Sequence, residues 1–387
     1  MHLMTQTMRW YGPKDVVSLT DILQSGCTGV VTALHQIPPG DIWTREDIRE
    51  RKGIIEKAGL KWSVVESLPV HDDIKRQTGN YKQFIENYKI SIENLAAEDV
   101  RVITYNFMPV LDWLRTHPNF VLPNGSRTLR FEKDAFVAFE LFLLKRPGVE
   151  KDFTDEEKAA GEKYFNSLSK SERQQLYDNI MLGLPGSDES FTPELVLTEL
   201  EKYSHIDAKK LKEHLSYFLN EVVPVAEKND VVLAIHPDDP PRSVLGLPRI
   251  VSNKKDLEDI ISFIDSPSNG LCFCTGSLGA GRENDVPAML KQFGDRVNFL
   301  HLRNTAMDDY GNFQEADHLG GDTDMKAIVK EALEIMKRRN ISIPMRPDHG
   351  FQMLDDLAKA TYPGYSAIGR LKGLAEIRGL EYGLAKS

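Results

Sequence analysis

Short, continuous apolar runs rich in β-branched residues recur along the chain, at 7–11, 29–34, 62–67, 101–107, 231–236, 270–275, 297–302 and 341–346. Runs of this length that do not alternate suit strands covered on both faces, as in a parallel sheet. Segments of helical period follow them. Ser18 and Asp21 form a capping-box-like start that Gly26 ends, Thr44 and Asp47 open a helix closed by Gly59, and Asn80 is placed to cap one over 81–98. Over 208–228, Leu211, Leu215, Phe218, Val222 and Val225 fall on one face. Further helices read at 255–264, 286–293, 323–339 and 366–380. Eight strands alternating with helices predict a closed parallel (β/α)8 TIM barrel.

One stretch breaks the repeat. More than 120 residues separate the fourth and fifth runs, where a barrel unit needs about 30. Capping pairs at Thr154/Glu157 and Ser169/Glu172 and the Thr192-Pro193 start predict helices there, joined by polar, Gly/Pro-punctuated sequence such as 181–193. The expected organisation is a first half-barrel over 1–111, a helical insertion over 112–205 and a second half-barrel over 206–387. The insertion leaves a strand whose C-terminal end faces the catalytic rim, so an active-site cover and a surface or oligomer contact both fit it.

Composition narrows the class. No run of about 18 apolar residues predicts a membrane span, and the opening MHLMTQTMRW lacks the apolar core of a signal peptide, so a cytoplasmic protein is expected. The net charge of −10, without a basic cluster interleaved with aromatics, argues against nucleic acid as a partner. Three cysteines, Cys27, Cys272 and Cys274, do not make a disulfide framework and leave metal ligation or plain burial.

Barrel active sites are built from residues at the C-terminal ends of strands. The fifth run ends in His236, the sixth in Cys274, the seventh in His301, and the eighth leads into Asp348-His349. Four successive strands thus deliver an imidazole, a thiol, an imidazole and a carboxylate to one rim, which is a ligand set for a divalent transition metal. Cys272 shares the strand face of Cys274 by the period of two but lies deeper, where an inert buried thiol is expected.

Other candidates carry weaker signals. His35 and His71 follow the second and third runs, near enough to the rim for substrate contact. His205 and His214 read as solvent-facing, and Gly276, Gly279 and Gly281 as a flexible loop with no helix opening on it. Neither a G-x-S-x-G elbow nor a Walker A loop is present.

In the strings MRWYGPKDVVSL, GVVTALHQIPPGDIW, VVESLPVHDDIK, LAIHPDDPP, FCTGSLGA, FLHLRN, MRPDHG and PGYSAIGRLKG, the chain resembles the mannonate dehydratases of hexuronate breakdown. The resemblance implies a xylose-isomerase-like barrel that binds Mn²⁺ or Fe²⁺ and converts D-mannonate to 2-keto-3-deoxy-D-gluconate plus water. It also implies His236, Cys274, His301 and Asp348 as the metal set. Removing a C2 proton beside a carboxylate calls for a Lewis acid, and expelling hydroxide calls for a general acid. His349 and Tyr365 are the expected acid/base pair, with the two roles unassigned, and Arg303 or Arg346 a candidate clamp for the substrate carboxylate. A homo-oligomer is expected. Two other readings stand beside this one: a metal-dependent sugar isomerase on a similar barrel, and a non-catalytic, metal-stabilised sugar-acid binding protein.

Overall fold

In the computed structural model, which describes residues 2–182 and 192–386, the eight apolar runs are the strands of one closed barrel. The first four are β1 (Thr5–Arg9), β2 (Gly29–Thr32), β3 (Lys61–Val65) and β4 (Val102–Tyr105). Two more, β5 (His117–Val121) and β6 (Arg127–Phe131), lie in the long segment after β4. Then come β7 (Val232–Ile235), β8 (Asn269–Cys274), β9 (Val297–His301), β10 (Thr305–Met307), β11 (Phe313–Glu315) and β12 (Pro344–Arg346). The barrel order is β1-β12-β9-β8-β7-β4-β3-β2, all parallel.

Inside the barrel, Val31, Val64, Ala234, Cys272 and Phe299 form one dry layer from five strands. Outside it, the helix Ala208–Lys228 lays its predicted stripe onto the barrel, where the Phe218 ring meets Tyr88, Tyr105 and Phe107 at 5.1, 5.8 and 5.9 Å. Each fully buried side chain of this size contributes about 1.5–3 kcal/mol. His214 lies on that stripe and is buried, its Nδ1 2.7 Å from the Lys75 carbonyl, which corrects its reading as solvent-facing. The capping boxes at Ser18, Thr154 and Ser169 form, whereas Asn80 makes no side-chain cap.

The long segment is not helical throughout. It opens with the β5–β6 hairpin, which pairs with the β10–β11 hairpin in a second sheet ordered β10-β11-β6-β5. Phe131 and Phe313 stack at 5.4 Å across this junction. Helices Asp155–Ser167, Lys170–Ile180 and Pro193–Glu201 follow, and their own core includes Phe139, Leu176 and Val196 together with Val244 and Leu247 from the loop after β7. Of the punctuated stretch 181–193, residues 183–191 lie outside the described residues.

Candidate metal centre

Strand register fixes the first donors. Cys274, the last residue of β8, pairs with His301, the last of β9, and His301 pairs with Arg346 at the end of β12. His236 follows β7, its N–H held by the Tyr105 carbonyl at 3.0 Å. The ligating atoms of His236, Cys274 and His301 all lie within 4.8 Å of one another. His236 Nε2 faces His301 Nδ1 at 3.1 Å; two nitrogens each about 2.1 Å from one tetrahedral ion stand a little over 3 Å apart. Asp348 lies beside this three-residue group and outside it, with Oδ2 3.5 Å from Cys274 Sγ and Oδ1 3.9 Å from His301 Nδ1. Its backbone is left-handed, at φ 56°, a conformation Asp tolerates and most residues resist.

The far nitrogen of His301 is also held. Glu66, at the end of β3, places Oε2 3.4 Å from His301 Nε2, and Arg346 Nε lies between them, 2.8 Å from the carboxylate and 3.1 Å from the imidazole. Arg346 donates its Nε–H to both, so Glu66 holds His301 through that guanidinium as well as across the 3.4 Å contact. Burial alone would raise the Glu66 carboxyl, but Arg346 and Arg9 hold it well below its usual range.

Arg303 and Arg346, the expected carboxylate clamps, are already committed. Arg303 is 1% exposed and bonded to Asp239 at 2.6 Å, to Asp348 at 2.6 Å and to Glu315. Arg346 pairs with Glu66 at 2.6 Å and with Asp348 at 2.5 Å. Arg115, at the start of the long segment, adds a bidentate pair to Asp239 at 2.7 and 3.1 Å. Gly276 permits this packing, since a Cβ there would stand 2.4 Å from the Arg303 side chain. Gly276 and Gly279, read from sequence as a loop, lie in a short helix, Thr275–Gly279, and Gly281 follows it.

His349 and Tyr365 meet over the donor cluster. His349 Nε2 lies 3.2 Å from the Tyr365 hydroxyl, and its Nδ1 lies 3.1 Å from Glu315 Oε1. Burial would raise the Glu315 carboxyl, but Arg303 and His349 hold it low and ionised. His349 Nδ1 thus faces the Glu315 carboxylate, an acceptor only, and lies 3.2 Å from Arg303 Nη1, a donor only, while Nε2 faces the Tyr365 hydroxyl. Burial pushes the Tyr365 phenol above its ordinary value, which keeps it protonated. Gly364, at φ 82°, lets the chain pass His349, where a Cβ would lie 3.1 Å from the ring.

A cavity of about 50 Å³ over these groups is lined by Arg9, Tyr11, Glu66, His236, Arg346, Asp348, His349 and Tyr365. Cys274 and His301 are fully buried and do not line it. His35 and His71 stand farther out, on a second cavity of about 980 Å³. His71 caps the helix Asp72–Arg76, its Nδ1 accepting from Asp73 N at 3.0 Å, and stacks on Phe84 at 4.0 Å. Sequence reading missed Arg9, Tyr11, Glu66, Arg115, Asp239 and Glu315. The first three stand at or just past the ends of strands, where the rule used for the metal set would have found them.

The sequence model of the family described as D-mannonate dehydratase (UxuA) matches residues 4–387. A mannonate dehydratase of Marinomonas sp. (strain MWYL1) is 52% identical over 98% of this chain and 99% of its own, and one of Chromohalobacter salexigens is 49% identical over 98% of each. The crystal structure of mannonate dehydratase from Streptococcus suis serotype 2 superposes with a TM-score of 0.79 at 34% identity, covering 100% of this chain and 95% of that one. A xylose isomerase domain protein from Planctomyces limnophilus, at 10% identity, TM-score 0.52 and full coverage of both chains, shares the fold alone.

Proposed function

The chain belongs to the D-mannonate dehydratase family, and from that premise we propose how its own residues carry out the dehydration of D-mannonate. The enzyme is a hydro-lyase: one water leaves, taking hydrogen from C2 and hydroxide from C3, and the enol left behind tautomerises to the 2-keto-3-deoxy acid. One observation carries the reading. His236, from the donor cluster, lines one small cavity together with Asp348 and the hydrogen-bonded His349–Tyr365 pair.

His236, Cys274, His301 and Asp348 are the residues that would hold a divalent ion, with Glu66 orienting His301 from behind. The mixed N, S and O donors suit a divalent transition metal, and Mn²⁺ or Fe²⁺ is the ion that the family resemblance implies. When bound, such an ion supplies Lewis acidity toward oxygens at the carboxyl end of the substrate. His349 and Tyr365 divide the two proton movements, one taking the C2 proton and the other protonating the leaving hydroxyl. Glu315 is a positioning residue, holding the His349 ring at Nδ1 together with Arg303 so that Nε2 points to Tyr365. Arg303 and Arg346 act through Asp348, fixing the carboxylate from two sides.

An isomerase on a similar barrel is not favoured, because the family model and the relatives of about half identity are mannonate dehydratases. A place in hexuronate breakdown follows from the substrate. Free thiols at Cys27, Cys272 and Cys274 are in keeping with a reducing, cytoplasmic setting, and no described helix is long and apolar enough to cross a membrane. Assembly with like chains is in keeping with Val121 and Leu354, which are 59% and 67% exposed beside the Arg127–Gln352 bridge.

The test is turnover. The purified enzyme, reduced and loaded with Mn²⁺ or Fe²⁺, is incubated with D-mannonate and assayed for a 2-keto product. Binding of the acid without product under either metal would leave a binding protein in place of a dehydratase.

A further inference from the structure

Two cavities meet at the rim. The one over the donor cluster, about 50 Å³, has room for only a few water molecules at about 10–15 Å³ each. The other, about 980 Å³, lies between the loops after β2 and β3 and the helix Pro193–Glu201. Arg9, Ser67, Asn106, Asp112 and Trp113 border both. A six-carbon acid gripped at its carboxyl end over the donor cluster does not fit in the small cavity. Its far end has to pass this shared border.

Polar atoms without partners stand along that path. Trp113 is 8% exposed, and its indole N–H is buried with no acceptor. Both ring nitrogens of His35 are buried and unpaired as well, although neighbouring polar groups of the wall, such as Asn106 with Asp112 at 2.9 Å, satisfy one another. A buried donor left unmet destabilises a fold, so its retention beside a cavity points to a partner that arrives with the ligand. The chemistry of that partner follows from the charge of His35. Burial, with Arg9 and Arg51 nearby, pushes the imidazole down to about 3. It is therefore neutral, offering one N–H and one lone pair, which suits a hydroxyl and not a carboxylate.

We propose that Trp113 and His35 form a subsite for the hydroxyls at the end of the acid remote from the carboxylate, and that this subsite sets the preference for chain length. The proposal rests on the dehydration reading and adds to it the direction in which the substrate lies.

The experiment compares kcat/KM for D-mannonate with that for the four-carbon acid of the same C2 and C3 configuration. The metal-loaded wild type, Trp113→Phe and His35→Phe are measured, with His35→Gln as the variant that keeps hydrogen-bonding groups. If the short acid turns over too slowly, its inhibition constant against D-mannonate gives the same comparison. Each Phe variant is expected to lose about tenfold on the six-carbon acid, the worth of one neutral hydrogen bond. The short acid should change by less than about twofold, and His35→Gln should recover part of the loss. Equal losses on both acids, or none on either, overturn the subsite. A wild type that dehydrates neither acid refutes the dehydration reading itself, and a variant that is misfolded shows this by its metal content and circular dichroism, leaving the other position to decide.

Discussion

Exchanging sulfur for oxygen at two positions on one strand separates a ligand from a core residue. Cys272 sits in the dry layer with Val31, Val64, Ala234 and Phe299. A serine hydroxyl there has no partner, which costs about 1–3 kcal/mol of stability, but the donor cluster two residues away is untouched. Cys274 is one of the clustered donors, with Asp348 3.5 Å from its sulfur. Loss of an outer-shell partner alone weakens metal binding about 10–100-fold, so loss of a thiolate ligand should weaken it by at least about 10²-fold. Linkage turns this into a melting experiment. An ion at 100 times its dissociation constant stabilises the fold by about 2.7 kcal/mol, and at one dissociation constant by only about 0.4 kcal/mol. Cys272→Ser should therefore melt lower without metal yet keep the full metal-induced increase and a full complement of bound Mn²⁺. Cys274→Ser should melt near wild type without metal and lose most of the increase and most of the ion. Metal analysis and calorimetry with and without Mn²⁺ read both. Full metal and an undiminished thermal increase in Cys274→Ser would refute the cluster as the metal centre.

Three further outcomes follow from the same geometry. His349→Asn and Tyr365→Phe should keep metal and fold but lose about 10²–10⁴ in kcat; in C2-deuterated D-mannonate, the variant that stops washing deuterium into solvent identifies the base, and full activity in both removes the pair from the mechanism. Glu66→Gln should weaken metal binding about 10–100-fold through His301, and equilibrium competition with a chelating dye that finds wild-type affinity would count against its orienting role. The His35 imidazole takes its proton at about 3 when folded, against about 6.5 in the unfolded chain. The unfolded state thus binds more protons in between, so this contribution is complete above about 6.5 and falls away toward 3. From pH 7 to 5 the decline is about 2 kcal/mol; urea midpoints of His35→Phe should fall less over that interval than those of wild type, and parallel curves would contradict the depressed imidazole.

The barrel was legible because each strand is a continuous apolar run and each helix carries a 3.6-residue stripe. The eight strands lie within three residues of where the pattern puts them. The candidate donors were legible through one rule, that barrel chemistry sits at strand ends. Glu66 obeys the same rule at the end of WSVVES, and Arg9 and Tyr11 obey it after β1. His214 is a similar case, since its spacing from Leu211 and Phe218 put it on the buried stripe. Arg115, Asp239 and Glu315 are different. They come from an irregular segment, a loop and a three-residue strand, and meet only because the β5–β6 and β10–β11 hairpins pair across nearly two hundred residues of sequence. No local period encodes that pairing.

The same three residues change what the arginines mean. Guanidiniums near a rim that binds an acid read naturally as clamps, but the buried network here is already neutral. Arg9, Arg115, Arg303 and Arg346 are matched by Glu66, Asp239, Glu315 and Asp348. Burying an unmatched charge is costly, so whatever enters must preserve that balance. A divalent ion with one thiolate leaves a single positive charge, and an aldonic acid brings a single negative one. On the proposed reading, charge selectivity would reside in the donor set of Cys274 and its neighbours, while the arginines hold Asp348 and Glu66 in place. A neutral sugar would leave the excess positive charge uncompensated, so this site should discriminate against aldoses by charge before any hydroxyl is read.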